Sequence, residues 1–139
     1  MPTINPVTRL PLLRPVPIFR GLSKSHLFEV ARKAKEVTYS PGTTVVRQGE
    51  PGGTLCIVTK GNLDVYQNDR VVARLKAGDY FGEISLIDGG PRSATVVTVD
   101  EVVLLTLSSA DFDSVLEIPY VARAVMMNLA QLLRRAENP

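Results

Sequence analysis

Apolar residues recur along this chain with two different periods, and the period changes twice. Behind Ser23 and Ser25, either of which can cap a helix, Leu27, Val30, Ala31 and Ala34 fall at helical spacing and predict a first helix. His26 sits in its first turn and is expected to be exposed. From Glu36 to Ser108 the texture shortens to β-rich runs: Glu36–Tyr39, Thr43–Arg47, Leu55–Thr59, Leu63–Gln67, Val71–Leu75, Ala94–Val99 and Val102–Leu107. Turn signals separate them, at Pro41-Gly42, Gly49 through Gly53, Lys60-Gly61-Asn62, Asn68-Asp69 and Ala77-Gly78-Asp79. Leu63, Val65, Val71, Ala73 and Leu75 alternate with mostly polar neighbours, which marks strands with one buried face.

The helical period then returns. Ser108 and Asp111 resemble a capping box that opens a short helix through Leu116. Pro119 suits the first position of a last helix. There Val121, Val125, Leu129 and Leu133 form an apolar stripe widened by Ala122, Met126 and Leu132. Residues 1–16 carry prolines at 2, 6, 11 and 15 and are expected to be an extended arm, because each proline fixes its own φ and biases its predecessor away from helix. The fold class expected is mainly β with flanking helices (α+β): an antiparallel β-roll or jelly roll of about eight strands, one N-terminal helix and two C-terminal helices. The domain boundaries expected are an arm over 1–16 and a single domain over 17–139, with the roll at 36–108 and the last helices at 109–136.

Composition adds mainly exclusions. A hydrophobic share of 45% and a charged share of 22% are ordinary for a folded domain, and the net charge of +2 does not call for a nucleic-acid partner. Residues 1–50 hold 8 Lys+Arg against 3 Asp+Glu and the remainder 8 against 11, but the cations are scattered as on a solvated face. Cys56 is the only cysteine, so neither an internal disulfide nor a thiolate metal cluster can form; in Leu55-Cys56-Ile57-Val58 it reads as a buried, inert thiol. No run of about 18 apolar residues is present, and the proline-broken start lacks a signal-peptide core, so a cytoplasmic location without a membrane span is expected. One histidine cannot supply a metal-dependent cupin site or a catalytic triad, so no catalysis, metal or cofactor is expected.

One segment breaks the strand texture. Between Leu75 and Ala94 the chain reads KAGDYFGEISLIDGGPRS, with four glycines and Arg92 behind Gly89-Gly90-Pro91. Gly82 lets the backbone turn sharply and approach a ligand. Glu83, Ile84 and Ser85 then open a short helix whose first N–H groups lack internal partners and form an anion site. Glu83 accepts from a sugar hydroxyl, and Arg92 closes over the site with a planar, permanently charged fork. A nest and one arginine suit a single negative charge, whereas a polyphosphate calls for more cations and a Walker loop, which the sequence lacks. A cyclic phosphodiester on a ribose meets these demands; a structural Glu83–Arg92 ion pair is the plain competing reading.

The segment FGEISLIDGGPRSATV resembles the phosphate-binding cassette of the cyclic nucleotide-binding domains of catabolite-activator-type regulators, protein kinase A regulatory subunits and cyclic-nucleotide-gated channels. The resemblance runs from about Pro17 to Arg135 and includes SPGTTVVRQGE and LCIVTKGNLDVY. It implies that Glu83 holds the ribose 2′-hydroxyl and Arg92 pairs with the cyclic phosphate. Gly82, Ile84, Ser85, Ser93 and Ala94 then surround phosphate and ribose, while Val65, Ala73 and Leu75 form the apolar wall beside ribose and base. Serine rather than threonine at position 93 favours cAMP over cGMP. The resemblance places the base lid late in the last helix, at Leu132, Arg134 or Arg135, or leaves it without one.

The function expected is a cyclic nucleotide sensor, most simply for cAMP, whose C-terminal helices change their packing on binding. The alternatives are a cGMP-binding module and a ligand-free scaffold or dimerisation domain that keeps the roll. Expected partners are the cyclic nucleotide and either a second copy through the Met126/Leu129/Leu133 stripe or an effector protein or domain, with no direct nucleic-acid binding, because no helix-turn-helix follows the last helix.

Overall fold

Among the described residues, eight short strands pair into two antiparallel four-stranded sheets. They are β1 (Lys35–Tyr39), β2 (Thr44–Val46), β3 (Thr54–Lys60), β4 (Leu63–Gln67), β5 (Arg70–Leu75), β6 (Tyr80–Phe81), β7 (Thr95–Thr98) and β8 (Val102–Ser108). One sheet has the order β1-β8-β3-β6 and the other β2-β7-β4-β5. This computed structural model describes residues 6–137. The β-roll with flanking helices expected from the sequence is the fold observed, with five α-helices and one 3₁₀ turn among the described residues.

The roll, residues 34–109, is one compact unit. Its core lies between the two sheets, where Cys56, Val58, Val102 and Leu104 from one meet Leu63 and Val96 from the other. Leu55 through Val58 are all buried, which explains why that run is continuously apolar rather than alternating. The β4–β5 hairpin turns on Asn68 and Asp69 at φ 50° and 66°, the paired left-handed conformation of a type I′ turn.

The buried face expected on β5 is only partly formed. Val71 is 56% exposed, Ala73 is exposed and Leu75 is half-buried. Val65 pairs with Ala73 but Tyr66 with Val71, so Val72 bulges and the alternation shifts beyond it. β5 also ends its sheet, so only β4 covers it from the side.

Helices α1 (Pro6–Leu13), α2 (Lys24–Lys33) and α5 (Pro119–Glu137), most of α4 (Ser109–Leu116), and the 3₁₀ turn Pro17–Phe19 make up the second unit. The arm expected to be extended is helical over Pro6–Leu13; residues 1–5 lie outside the described residues. Pro6 occupies the first position, where no intrahelical N–H is needed. The hydrogen bond lost at Pro11 is offset by burial of Leu10 and Leu13 and by Arg9, whose Nη1 donates to the carbonyl of Ala31 at 2.9 Å. Of the two expected caps on α2, Ser23 is the one used: its Oγ accepts from the His26 N–H at 3.2 Å. His26 is half-buried rather than exposed, because its ring stacks on Tyr120 with centroids 4.9 Å apart.

On α5 the apolar stripe is buried at Val121 and Val125, half-buried at Leu129, and open at Leu133, which is 66% exposed. Met126 is exposed as well. Asn128 fastens the middle of α5, its Nδ2 donating to the carbonyls of Ile18 and Arg20 at 3.0 and 2.9 Å. Among the described residues, no helix is long and apolar enough to cross a membrane.

Candidate functional site

The glycine-rich segment that interrupts the strands builds a single corner of the roll. Tyr80-Phe81, the strand that the sequence pattern hides because it is only two residues long, pairs with Cys56 and Ile57 of β3. Gly82 follows at φ 87° and ψ 12° and caps helix α3 (Glu83–Asp88). That left-handed conformation is open to glycine and strained for other residues. A Cβ there would also stand 2.5 Å from the Thr54 carbonyl oxygen and 2.6 Å from Nη1 of Arg92. The first bond of α3 runs from the Leu86 N–H to the Gly82 carbonyl at 3.0 Å, which leaves the N–H groups of Glu83, Ile84 and Ser85 ahead of the helical ladder.

Arg92 reaches this corner from a second stretch of chain. Its N–H donates to the Glu50 carbonyl at 2.8 Å, and its own carbonyl accepts from the Gly49 N–H at 2.9 Å. Its Nη1 donates to the Thr54 carbonyl at 3.1 Å. The guanidinium is thus held against Gly82; among the described residues the remainder of its fork makes no hydrogen bond to protein, and Glu83 and Arg92 form no ion pair with each other. A five-donor fork anchored through one nitrogen retains donors for an anion.

Two adjoining recesses open here and share Gly82, Ser85 and Ser93. The larger, about 270 Å³, is walled by Val46, Val65, Ala73, Leu75, Phe81 and Val96, and its polar rim is Ser85, Arg92 and Ser93, with Ala94 beside them. The smaller, about 240 Å³, is lined by Glu83, Ile84 and Asp88 together with the Gly90-Pro91 stretch. Eight of the ten residues named from the sequence therefore border the apolar cavity, while Glu83 and Ile84 border the neighbouring recess, and Ile84 is 52% exposed. Val46, Phe81 and Val96 are walls that sequence reasoning missed. Phe81 adjoins Gly82, and Val46 and Val96 are register partners across β2 and β7. The candidate lid residues lie at the end of α5 in the helical unit, where Leu132 and Arg135 line a small recess with Pro17, Arg20, Asn128 and Gln131.

The electrostatics of the corner are simple. Burial pushes the Cys56 thiol up to about 11, and the nearby charge of Arg92 opposes that shift. Burial, then the neighbouring Cys56, raises the Tyr39 hydroxyl. A protonated thiol beneath the cavity is neither a nucleophile nor a metal ligand. Among the described residues no group of three or more His, Cys, Asp or Glu side chains is placed to hold a metal. What the corner offers is an apolar slot with a guanidinium and two hydroxyls on its rim, beside a recess that holds a carboxylate and the start of α3: an arrangement that can take an apolar ring system carrying one negative charge and hydroxyls.

Comparisons with known proteins agree with that chemistry. The family model described as cyclic nucleotide-binding domain matches residues 36–118. A cyclic nucleotide-gated potassium channel of Rhizobium etli is 39% identical over 101 residues, 73% of this chain and 28% of the relative. A cAMP-dependent protein kinase regulatory subunit of Schizosaccharomyces pombe is 36% identical over 106 residues, covering 76% and 26%. The chain thus spans roughly a quarter of the length of these relatives. Among solved structures, the N-terminal domain of a transcriptional regulator from Streptomyces coelicolor A3(2) superposes with a TM-score of 0.83 at 34% identity, covering 90% of this chain and 94% of that one. The catabolite activator protein of Thermus thermophilus gives 0.70 at 31% identity, covering 87% and 60%.

Proposed function

The chain belongs to the cyclic nucleotide-binding domain family, and on that footing we propose that its apolar cavity binds a cyclic purine nucleotide, cAMP in preference to cGMP. The observation that carries this reading is the guanidinium of Arg92 held over Gly82 at the polar end of the cavity. In the proposed complex Arg92 and the N–H groups opening α3 take the cyclic phosphate, Glu83 takes the ribose 2′-hydroxyl from the adjoining recess, and Gly82, Ile84, Ser85, Ser93 and Ala94 enclose phosphate and ribose. Val65, Ala73 and Leu75, with Val46, Phe81 and Val96, receive the ribose and base. Ser93 supports the preference for cAMP, since family members that prefer cGMP often carry threonine there, whose hydroxyl can reach the guanine amino group, while alanine or serine is more usual in cAMP binders.

The module, taken as residues 17–139, acts as a sensor rather than a catalyst. Ligand binding shifts the packing of α4 and α5, with Leu132, Arg134 or Arg135 supplying the base lid. Such a shift needs contacts that differ between the two states, and Arg92 and the cassette backbone supply them. The names of the relatives, a potassium channel and kinase regulatory subunits, support a regulatory role within a longer protein.

Thermal unfolding with each nucleotide tests the reading. Ligand at about 100 times its Kd stabilises a folded domain by about 2.7 kcal/mol, so the melting temperature rises with cAMP and rises less with an equal concentration of cGMP. No shift with either nucleotide favours a scaffold that keeps the roll without the ligand.

A further inference from the structure

Of the glycines around the cassette, Gly52 stands apart. Its φ lies outside the left-handed region, so its backbone conformation does not require glycine; its surroundings do. A Cβ on Gly52 would overlap both Cβ and Oγ of Ser85 in α3 and would lie 2.9 Å from the carbonyl oxygen of Gly90. Gly49, by contrast, has open space where its side chain would go. The close approach at position 52 is made by a stretch of chain that holds the cassette at several points. The Gly52 N–H donates to the Gly90 carbonyl at 2.9 Å, Pro51 and Pro91 form a β-bridge, and Glu50 and Gly49 bond the backbone of Arg92. The next residue but one, Thr54, accepts from the Arg92 guanidinium.

We propose that Gly52 is a positioning residue for the ligand site: its missing side chain lets the 49–54 segment seat against Ser85 and Gly90, and that seating sets the spacing between the donors opening α3 and the guanidinium of Arg92. Gly52 itself lines neither recess, so its effect on binding runs through Ser85 and Arg92. The inference rests on the cyclic nucleotide reading for its ligand but not for its geometry. A methyl group forced into this contact pushes the 49–54 segment away from α3 and the Gly90–Arg92 stretch, because the atoms it meets include the Cβ of Ser85 and a backbone carbonyl, which no side-chain rotation moves aside.

The test compares wild type, Gly52→Ala, Ser85→Gly and the double variant, each titrated with cAMP by calorimetry and each recorded as a backbone amide NMR spectrum without nucleotide. Gly52→Ala is expected to weaken cAMP by at least about tenfold and to move the amide resonances of residues 82–92. Ser85→Gly removes the atoms that the new methyl meets first, so the double variant returns to within about threefold of Ser85→Gly alone and its cassette resonances return with it. A Gly52→Ala chain that fails to fold but is restored by Ser85→Gly supports the same contact. Wild-type affinity and unmoved resonances in Gly52→Ala, or a double variant no better than Gly52→Ala, overturn the proposal. Should wild type bind neither cAMP nor cGMP, the functional reading falls, and the amide spectra alone decide the positioning role.

Discussion

The carbonyl of Thr54 accepts from Nη1 of Arg92 at 3.1 Å, and the same oxygen would lie 2.5 Å from any Cβ placed on Gly82. One backbone oxygen in β3 therefore fixes two things, the direction of the guanidinium on the cavity rim and the need for glycine where the cassette turns. This links a strand to the proposed ligand corner: β3 is held by the core through Cys56 and Val58, and its first residue orients the guanidinium proposed to take the cyclic phosphate.

Gly82→Ala tests that link. A side chain at φ 87° costs roughly 1–2 kcal/mol in backbone strain alone, and the methyl would press on Thr54 and Arg92 as well. The variant is expected to melt several degrees lower than wild type and to lose cAMP binding more than tenfold, about 1.4 kcal/mol or more. Thermal unfolding and calorimetry read the two effects separately, and a variant with unchanged melting temperature and affinity contradicts the geometry.

Glu83 borders the recess beside the cavity rather than the cavity itself, so its assignment to the ribose rests on a ligand that spans both. Wild type is expected to prefer cAMP over 2′-deoxy-cAMP by about tenfold, the worth of one hydrogen bond to a charged acceptor. In Glu83→Ala the two nucleotides are expected to bind equally. Competition binding checks this, and a preference that survives the substitution assigns the hydroxyl to another group.

Cys56 gives a pH signature. Its thiol is pushed from 9.0 up to about 11 by burial, so the folded chain keeps a proton that the unfolded chain has already lost. The resulting stability is present below about pH 9 and is lost as the pH rises toward about 11, amounting to about 2–3 kcal/mol at most. Stability measured from pH 8 to 11 is expected to fall more steeply in wild type than in Cys56→Ala, and the native thiol is expected to resist labelling at pH 8. Rapid labelling of folded protein, or parallel pH profiles, contradicts this.

The roll and the cassette were legible in the sequence for one reason: both depend on local chemistry. Strand β4 matches the run Leu63–Gln67 residue for residue, and Gly82 and Arg92 meet as the spacing implied. The departures come from interactions that no local pattern carries. Pro11 signals a break, yet burial of Leu10 and Leu13 holds α1 together. The bulge at Val72 puts Arg70 and Val71 out of phase with the rest of an alternating strand, and Val71 is exposed. Alternation identifies inward residues but not which of them border open space, so Val65, Ala73 and Leu75 were named on resemblance while Val46, Phe81 and Val96 were missed. His26 looks like a surface residue until Tyr120, far along the chain, stacks on it.

The most direct test of the central claim is a calorimetric titration of cAMP into wild type, Arg92→Lys and Arg92→Ala, with the melting temperature of each recorded alone. Wild type is expected to bind saturably. Arg92→Ala is expected to bind at least about tenfold more weakly, since a charge-assisted hydrogen bond contributes roughly 1.5–3 kcal/mol, while remaining folded. Arg92→Lys is expected to be impaired too, because an ammonium cannot donate to Thr54 and present a planar fork at once. Equal affinity in wild type and a folded Arg92→Ala would contradict the account.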